Sequence, residues 1–220
     1  MKIYKVDKTT TTNDLARTLC GGDEDFVVVA EEQTARKYTK NGEWISPLGG
    51  LYFTLCTKLE PVLPLKAAAA VAQTLDDLGG YPSIKWPHEV LVDGKILCGI
   101  FMETEGQNAL LGMIINNEYA PSDKSTCIAS AIGRSIRSKT LMDGILARFA
   151  AMDDVLNTYK QFSPIVGRHI VVKTPDGNLT GKVEDIGECG SLVLDKGRKL
   201  SPDDAVLLRS VNKPSNEGSS

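Results

Sequence analysis

Two histidines, His88 and His169, and five scattered cysteines (Cys20, Cys56, Cys98, Cys127 and Cys189) are the metal-binding and nucleophilic side chains of this chain. A zinc site needs paired ligands at short spacing, and neither CxxC nor HExxH occurs. Nucleophilic catalysis is equally unsupported, because there is no GxSxG and no local signature joins a cysteine to either histidine. Gly94-Lys95 resembles the end of a phosphate-binding loop only superficially: Ile96 follows it, and the upstream glycine of a Walker loop is missing. The acidic runs Asp23-Glu24-Asp25 and Asp153-Asp154 read as solvated faces. No self-contained catalytic constellation is visible.

The elements around these residues are those of a mixed α/β chain. Its 220 residues carry 25 basic and 28 acidic side chains, a formal charge of −3, so no basic excess exists to neutralise a run of phosphates. No apolar run approaches the ~20 residues of a membrane span, and Met1–Lys5 lacks the core of a signal peptide. Unpaired cysteines fit a reducing compartment, and a cytoplasmic location is expected. Residues 2–6 read as an edge strand. Thr11 and Asp14 have capping spacing for a helix through Leu19, ended by Gly21-Gly22. Residues 26–30 and 51–57 read as buried strands joined by a long polar loop over 32–48. Residues 66–78 are a helix by propensity. Asp93-Gly94 joins residues 90–92 and 95–101 as a hairpin, and residues 110–115 form a further strand. Apolar positions from Leu141 to Tyr159 recur every three or four residues, predicting one amphipathic helix. Beyond Pro164 short alternating stretches with glycine turns predict a small barrel, and residues 213–220 a solvated tail.

Four segments carry a further signal in their order: Thr11-Thr12-Asn13; Gln33-Thr34 with Trp44-Ile45-Ser46-Pro47 and Gly49-Gly50-Leu51-Tyr52; Lys85-Trp86-Pro87-His88-Glu89 with Lys95 and Gly99; and Gly112 to Asn116. This arrangement resembles the biotin protein ligases, whose pattern runs STN, QTxGRGRxGRxWxSPxGGLY, KWPND, KxxG and GxGxN. The nine residues between Thr34 and Trp44 match the family count. The likeness covers roughly residues 2–211. It implies an α+β fold: a catalytic domain over 1–163 with a mixed sheet flanked by helices, an SH3-like barrel over 164–212, and a disordered tail over 213–220.

The resemblance implies a two-step reaction. The biotin carboxylate attacks the α-phosphate of ATP, pyrophosphate leaves, and a lysine of a biotin carboxyl carrier protein attacks the biotinyl-5'-AMP. No enzyme nucleophile is required, so catalysis reduces to positioning and charge stabilisation. By resemblance, Thr11, Thr12, Asn13, Gln33, Trp44, Gly50, Leu51 and Gly99 bind biotin. Lys37, Lys40, His88 and Asn116 contact ATP, with Mg²⁺ as a cofactor and no protein metal ligand assigned. Glu89 stands at the family aspartate that orients the incoming amine. The family lysine lies three residues before its glycine; that position, counted from Gly99, is Ile96, and Lys95 is the only nearby candidate cation. Neighbours on a strand face opposite sides, so Lys95 can substitute only through a bulge or a register shift.

Other departures are Lys37, Thr39, Lys40 and Gly42 in the glycine/arginine loop, His88-Glu89 for Asn-Asp, Ile114 for the second glycine of GxGxN, and Glu118 for an asparagine. They leave a second reading, a binding protein on the same scaffold with little or no catalysis. A lipoate ligase lacks its Arg-rich motif here. RNA binding by residues beyond 164 lacks aromatic side chains. With about ten residues before Thr11 no DNA-binding domain is expected, and a homodimer is expected by resemblance.

Overall fold

The alternating, charged N-terminal segment forms β1 (Lys2–Thr9), an edge strand paired in parallel with β2 (Phe26–Thr39). Between them runs α1 (Thr12–Leu19), begun by Thr11, whose Oγ1 accepts from the Asp14 backbone N–H at 3.0 Å. The computed structural model describes residues 1–22, 24–39, 42–203 and 205–211. For residues 36–39, 42–44, 209 and 211 the description is of backbone alone.

Next come β3 (Gly42–Ser46), β4 (Leu51–Lys58), α2 (Leu63–Asp77), β5 (Pro82–Lys85), β6 (Glu89–Val92), β7 (Lys95–Glu105) and β8 (Asn108–Ile115). They complete one sheet in the order β1-β2-β4-β8-β7-β6-β5, with β3 paired to β2. Among the described residues β1–β2 is the only parallel strand pair of this sheet. Helices α3 (Ile128–Ile132), α4 (Ser138–Ala151) and α5 (Val155–Phe162) follow. The alanine-rich α2 lies in the core with α4 and α5, against Phe53, Leu55, Leu111 and Met113 of the sheet. The short α1 covers part of the opposite face, where Ala16 packs with Val28, Cys56 and Leu110.

Beyond them β9 (His169–Thr174), β10 (Gly177–Ile186), β11 (Leu192–Leu194), β12 (Lys199–Leu200) and β13 (Val206–Val211) form a five-stranded antiparallel sheet, ordered β12-β11-β10-β9-β13. Its Ile170, Val172, Val183 and Leu192 join the same apolar core as α2. The indole of Trp86 donates to the Gly190 carbonyl at 2.7 Å, and a Cβ at Gly190 would lie 2.6 Å from Leu65. Among the described residues no helix is long and apolar enough to cross a membrane.

Two expectations are corrected. Residues 32–48 are not one long loop: β2 continues to Thr39 and returns as β3, with a register shift between Gln33 and Lys37. A ladder of backbone hydrogen bonds needs no apolar residues, so hydropathy missed it. Asn41-Gly42 is a hairpin signal, although residues 40 and 41 lie outside the described residues. The single helix expected over 139–160 is two. The chain breaks after Met152, and Asp154, read as part of a solvated face, caps α5 by accepting from the Asn157 N–H at 3.2 Å.

Candidate functional site

The face of the sheet that α1 partly covers carries a buried polar cluster. The Thr12 backbone N–H donates to Gln33 Oε1 at 2.8 Å and its hydroxyl reaches the same oxygen at 3.2 Å, while Gln33 Nε2 donates to Ser46 Oγ at 3.0 Å. Thr54, wholly buried on β4, donates to Asn13 Oδ1 at 2.6 Å and lies 2.8 Å from Thr12 Oγ1. Asn13 Nδ2 in turn donates to Glu103 at 3.0 Å. Arg17 also binds Glu103 and reaches Glu105 at 3.2 Å, anchoring the next turn of α1 to β7. Buried polar atoms are costly unless paired, so the cluster fixes the helix N-terminus to three strands. Gly112 on β8 makes the approach possible, since a Cβ there would stand 2.4 Å from Asn13 Oδ1.

Beside these polar groups the same face is apolar. Tyr52 and Ile114 are buried, with Ile96 and Phe101 packed against them. Burial pushes the Tyr52 hydroxyl well above the usual phenol range, and it donates to the Pro47 carbonyl at 2.6 Å. A Cβ at Gly50 would overlap that ring, 2.0 Å from its hydroxyl oxygen. A polar end next to an apolar floor suits a ligand with a hydrogen-bonding head and a hydrocarbon body.

The register of β6 against β7 decides where the candidate cation goes. Glu89 pairs with Gly99 and Val90 with Cys98, but Leu91 pairs with Ile96, leaving Leu97 as an extra residue. That is a β-bulge. Consecutive Leu97 and Cys98 both enter the helix-side core, and Ile96 turns to the α1 face. Lys95 pairs with Val92 at the exposed start of the strand. The bulge that Lys95 required exists, and it presents Ile96 instead.

The backbone of Ile96 is held from three sides. Its N–H donates to the Lys124 carbonyl at 3.0 Å and its carbonyl accepts from Thr126 N–H at 2.9 Å. Buried Asn116 donates through Nδ2 to the carbonyls of Ile96 at 3.4 Å and Thr126 at 3.0 Å.

Thr11, Thr12, Asn13 and Gln33 thus come together, and Gly50 and Gly99 lie by the apolar floor through Tyr52 and Ile114. Leu51 turns its side chain into the helix-side core. Glu89 is buried and accepts from Lys85 Nζ at 2.7 Å. His88 lines a different cavity of about 520 Å³, between Pro64 and Leu65 on one side and Ser191 and Lys199 of the C-terminal part on the other. The Lys37 and Trp44 side chains, Lys40 and the tail expected over 213–220 lie outside the described residues. Sequence reasoning assigned no role to Ser46, Thr54 or Glu103. A lone threonine in the apolar run Leu51-Tyr52-Phe53-Thr54-Leu55 was the available signal for Thr54.

The family model described as the biotin/lipoate A/B protein ligase family matches residues 3–119, more than half of the chain, and the chain belongs to that family. Within it the chain stands among the biotin protein ligases. The bifunctional ligase/repressor BirA of Bacillus subtilis (strain 168) is 27% identical over 215 residues, which cover 84% of this chain and 65% of that protein. This chain therefore spans less than two thirds of that relative's length. The biotin--[acetyl-CoA-carboxylase] ligase of Mycobacterium tuberculosis is 28% identical over 234 residues, covering 93% and 88%. In fold, the chain is similar to the biotin protein ligase from Aquifex aeolicus in complex with biotin and ATP (TM-score 0.76, 21% identity, 95% of this chain and 99% of that one). It is also similar to the Leishmania major biotin protein ligase in complex with biotinyl-5-AMP (TM-score 0.66, 22% identity, 91% and 98%).

Proposed function

We propose that this chain activates biotin with ATP as biotinyl-5'-AMP and transfers the biotinyl group to a lysine of a biotin carboxyl carrier protein. The observation that carries the reading is the buried Thr12–Gln33–Ser46–Thr54 cluster beside the floor of Tyr52 and Ile114. In this reading the cluster takes the polar head of biotin and the floor takes its hydrocarbon part. Trp44, Gly50, Gly99 and the backbone of Leu51 belong to the same pocket, and Lys37, Lys40 and Asn116 serve ATP, whereas His88 faces the other cavity.

The biotin carboxylate oxygen attacks the α-phosphorus as the bond to pyrophosphate breaks. The carrier amine then attacks the acyl carbon, AMP departs, and the proton lost by the amine is taken up near Glu89. Mg²⁺ bound with the ATP phosphates would neutralise part of their charge, and such an ion needs no cluster of three protein ligands. The catalytic unit is residues 1–163 and the supporting one residues 164–212, working as a cytoplasmic enzyme, with a homodimer as its assembly.

A second reading, a protein that binds biotin without adenylating it, is favoured by one observation. Ile96, at the family lysine's place, packs with Tyr52, Ile114 and Phe101 on the α1 face. Biotin-dependent exchange of pyrophosphate into ATP separates the two, because exchange needs adenylation and no carrier. Exchange supports the ligase. Biotin binding without exchange supports the binding protein, and loss of both overturns the assignment of the pocket.

A further inference from the structure

Away from the polar cluster, α1 ends at Cys20, and the Cys20 sulfur lies 3.5 Å from that of Cys56 on β4. Both sulfurs belong to elements held firmly. The Cys20 backbone N–H closes α1 by donating to the Ala16 carbonyl at 2.9 Å. Cys56 is buried in mid-sheet, paired with Phe26 on one side and Leu110 on the other. The side-chain amide of Asn108 donates to the Cys20 sulfur at 3.3 Å, fixing where it points. Cys20 is half-exposed, so one member of the pair can meet a small solute from solvent while the other waits behind it.

We propose that Cys20 and Cys56 form a reversible oxidation site whose oxidant is a peroxide. The Cys20 thiolate attacks one oxygen of hydrogen peroxide, the O–O bond breaks, and hydroxide leaves to take up a proton as water. The resulting sulfenic acid is attacked by the Cys56 sulfur, which gives up its proton as the S–O bond breaks and a second water leaves. Two thiols are oxidised to one disulfide and one peroxide is reduced to two waters. Closing the pair brings the sulfurs from 3.5 Å to about 2.05 Å. Burial and the neighbouring Cys20 push the Cys56 thiol up to about 12, which leaves the half-exposed Cys20 as the thiol that meets the oxidant first.

The link would tie the C-terminal end of α1 to the strand that carries Thr54, which touches Thr12 and Asn13 at the helix's other end. The remaining thiols are placed differently: Cys98 and Cys127 are buried, and Cys189 is exposed.

The test treats the Cys189→Ser protein with a small excess of hydrogen peroxide, alkylates the remaining thiols and maps the peptides by mass. The expected result is a cross-linked peptide containing Cys20 and Cys56, lighter by about 2 Da than the sum of the reduced peptides. A thiol reductant should abolish it, and it should be absent in Cys20→Ser. Because Cys20 is half-exposed, that variant keeps the test sound even if Cys56→Ser folds poorly. Alkylation of both thiols after oxidant treatment, or further oxidation of Cys20 with Cys56 still free, would overturn the proposal.

Discussion

Asn116 reaches across from the end of β8 to grip the carbonyl of Ile96, 3.4 Å from its Nδ2. The same nitrogen holds the Thr126 carbonyl at 3.0 Å, and the Asn116 backbone N–H donates to the Leu97 carbonyl at 3.0 Å. A residue assigned to ATP by resemblance is thus tied to the bulge that aims residue 96. Asn116→Ala should cost roughly 1–3 kcal/mol by removing the donor of the part-buried Thr126 carbonyl, while the Ile96 carbonyl keeps the Thr126 N–H. Urea denaturation measures it, and an unchanged midpoint would show that the bulge stands without this contact.

Ile96→Lys should gain pyrophosphate exchange over the wild type by about a hundredfold, the scale of restoring one charge-stabilising group in a transition state. The new ammonium would enter the apolar group of Tyr52, Ile114 and Phe101, so some loss of stability accompanies the gain. An inactive but folded variant would show that more than this one position was lost.

Lys95→Ala should leave any exchange activity intact and alter stability by less than about 0.5 kcal/mol, as befits an exposed side chain at the start of a strand. Abolished exchange in a folded variant would return Lys95 to the mechanism and refute the face assigned to Ile96.

Gly112→Ala forces a methyl to 2.4 Å from Asn13 Oδ1. Either α1 lifts or the asparagine turns away from Thr54, at about 1–3 kcal/mol of overpacking. The thermal midpoint should fall and biotin binding, read by calorimetry, should weaken with it. Unchanged binding would detach the α1 N-terminus from the pocket.

Thr54→Val keeps shape but removes the hydroxyl that touches both Thr12 and Asn13. Two buried groups lose a partner, so stability should drop by about 1–3 kcal/mol. If Thr54 were only a space-filler, the substitution would be neutral in a melt.

Much of this was legible in the chain itself. Thr11 and Asp14 announced a capped helix, Asp93-Gly94 a hairpin, and the ordered motifs the mixed sheet with helices and a small following sheet. What hydropathy could not see was structure without apolar residues, namely the extension of β2 into β3. The helix break at Met152 was hidden because the apolar spacing continues through it while Asp154 starts a new helix. Motif counting located residue 96 but not its direction, since a bulge reverses strand parity by one residue. Placing Leu51 on the helical side needed the pleat of β4 rather than the motif. Gly112 could be read as a motif glycine, but its reason, the carboxamide of Asn13, lies nearly a hundred residues earlier and exists only in the fold.

The indole of Trp86 spans from the main sheet to the Gly190 carbonyl of the C-terminal one, and Gly190 itself presses on Leu65 of α2. Cutting the chain near Pro164 would leave a buried donor with nothing to bind and uncover one flank of the helix that forms the centre of the core. The two sheets are therefore not beads on a string: calorimetry of the intact protein should give a single endotherm, with the C-terminal strands melting at the same temperature as α2.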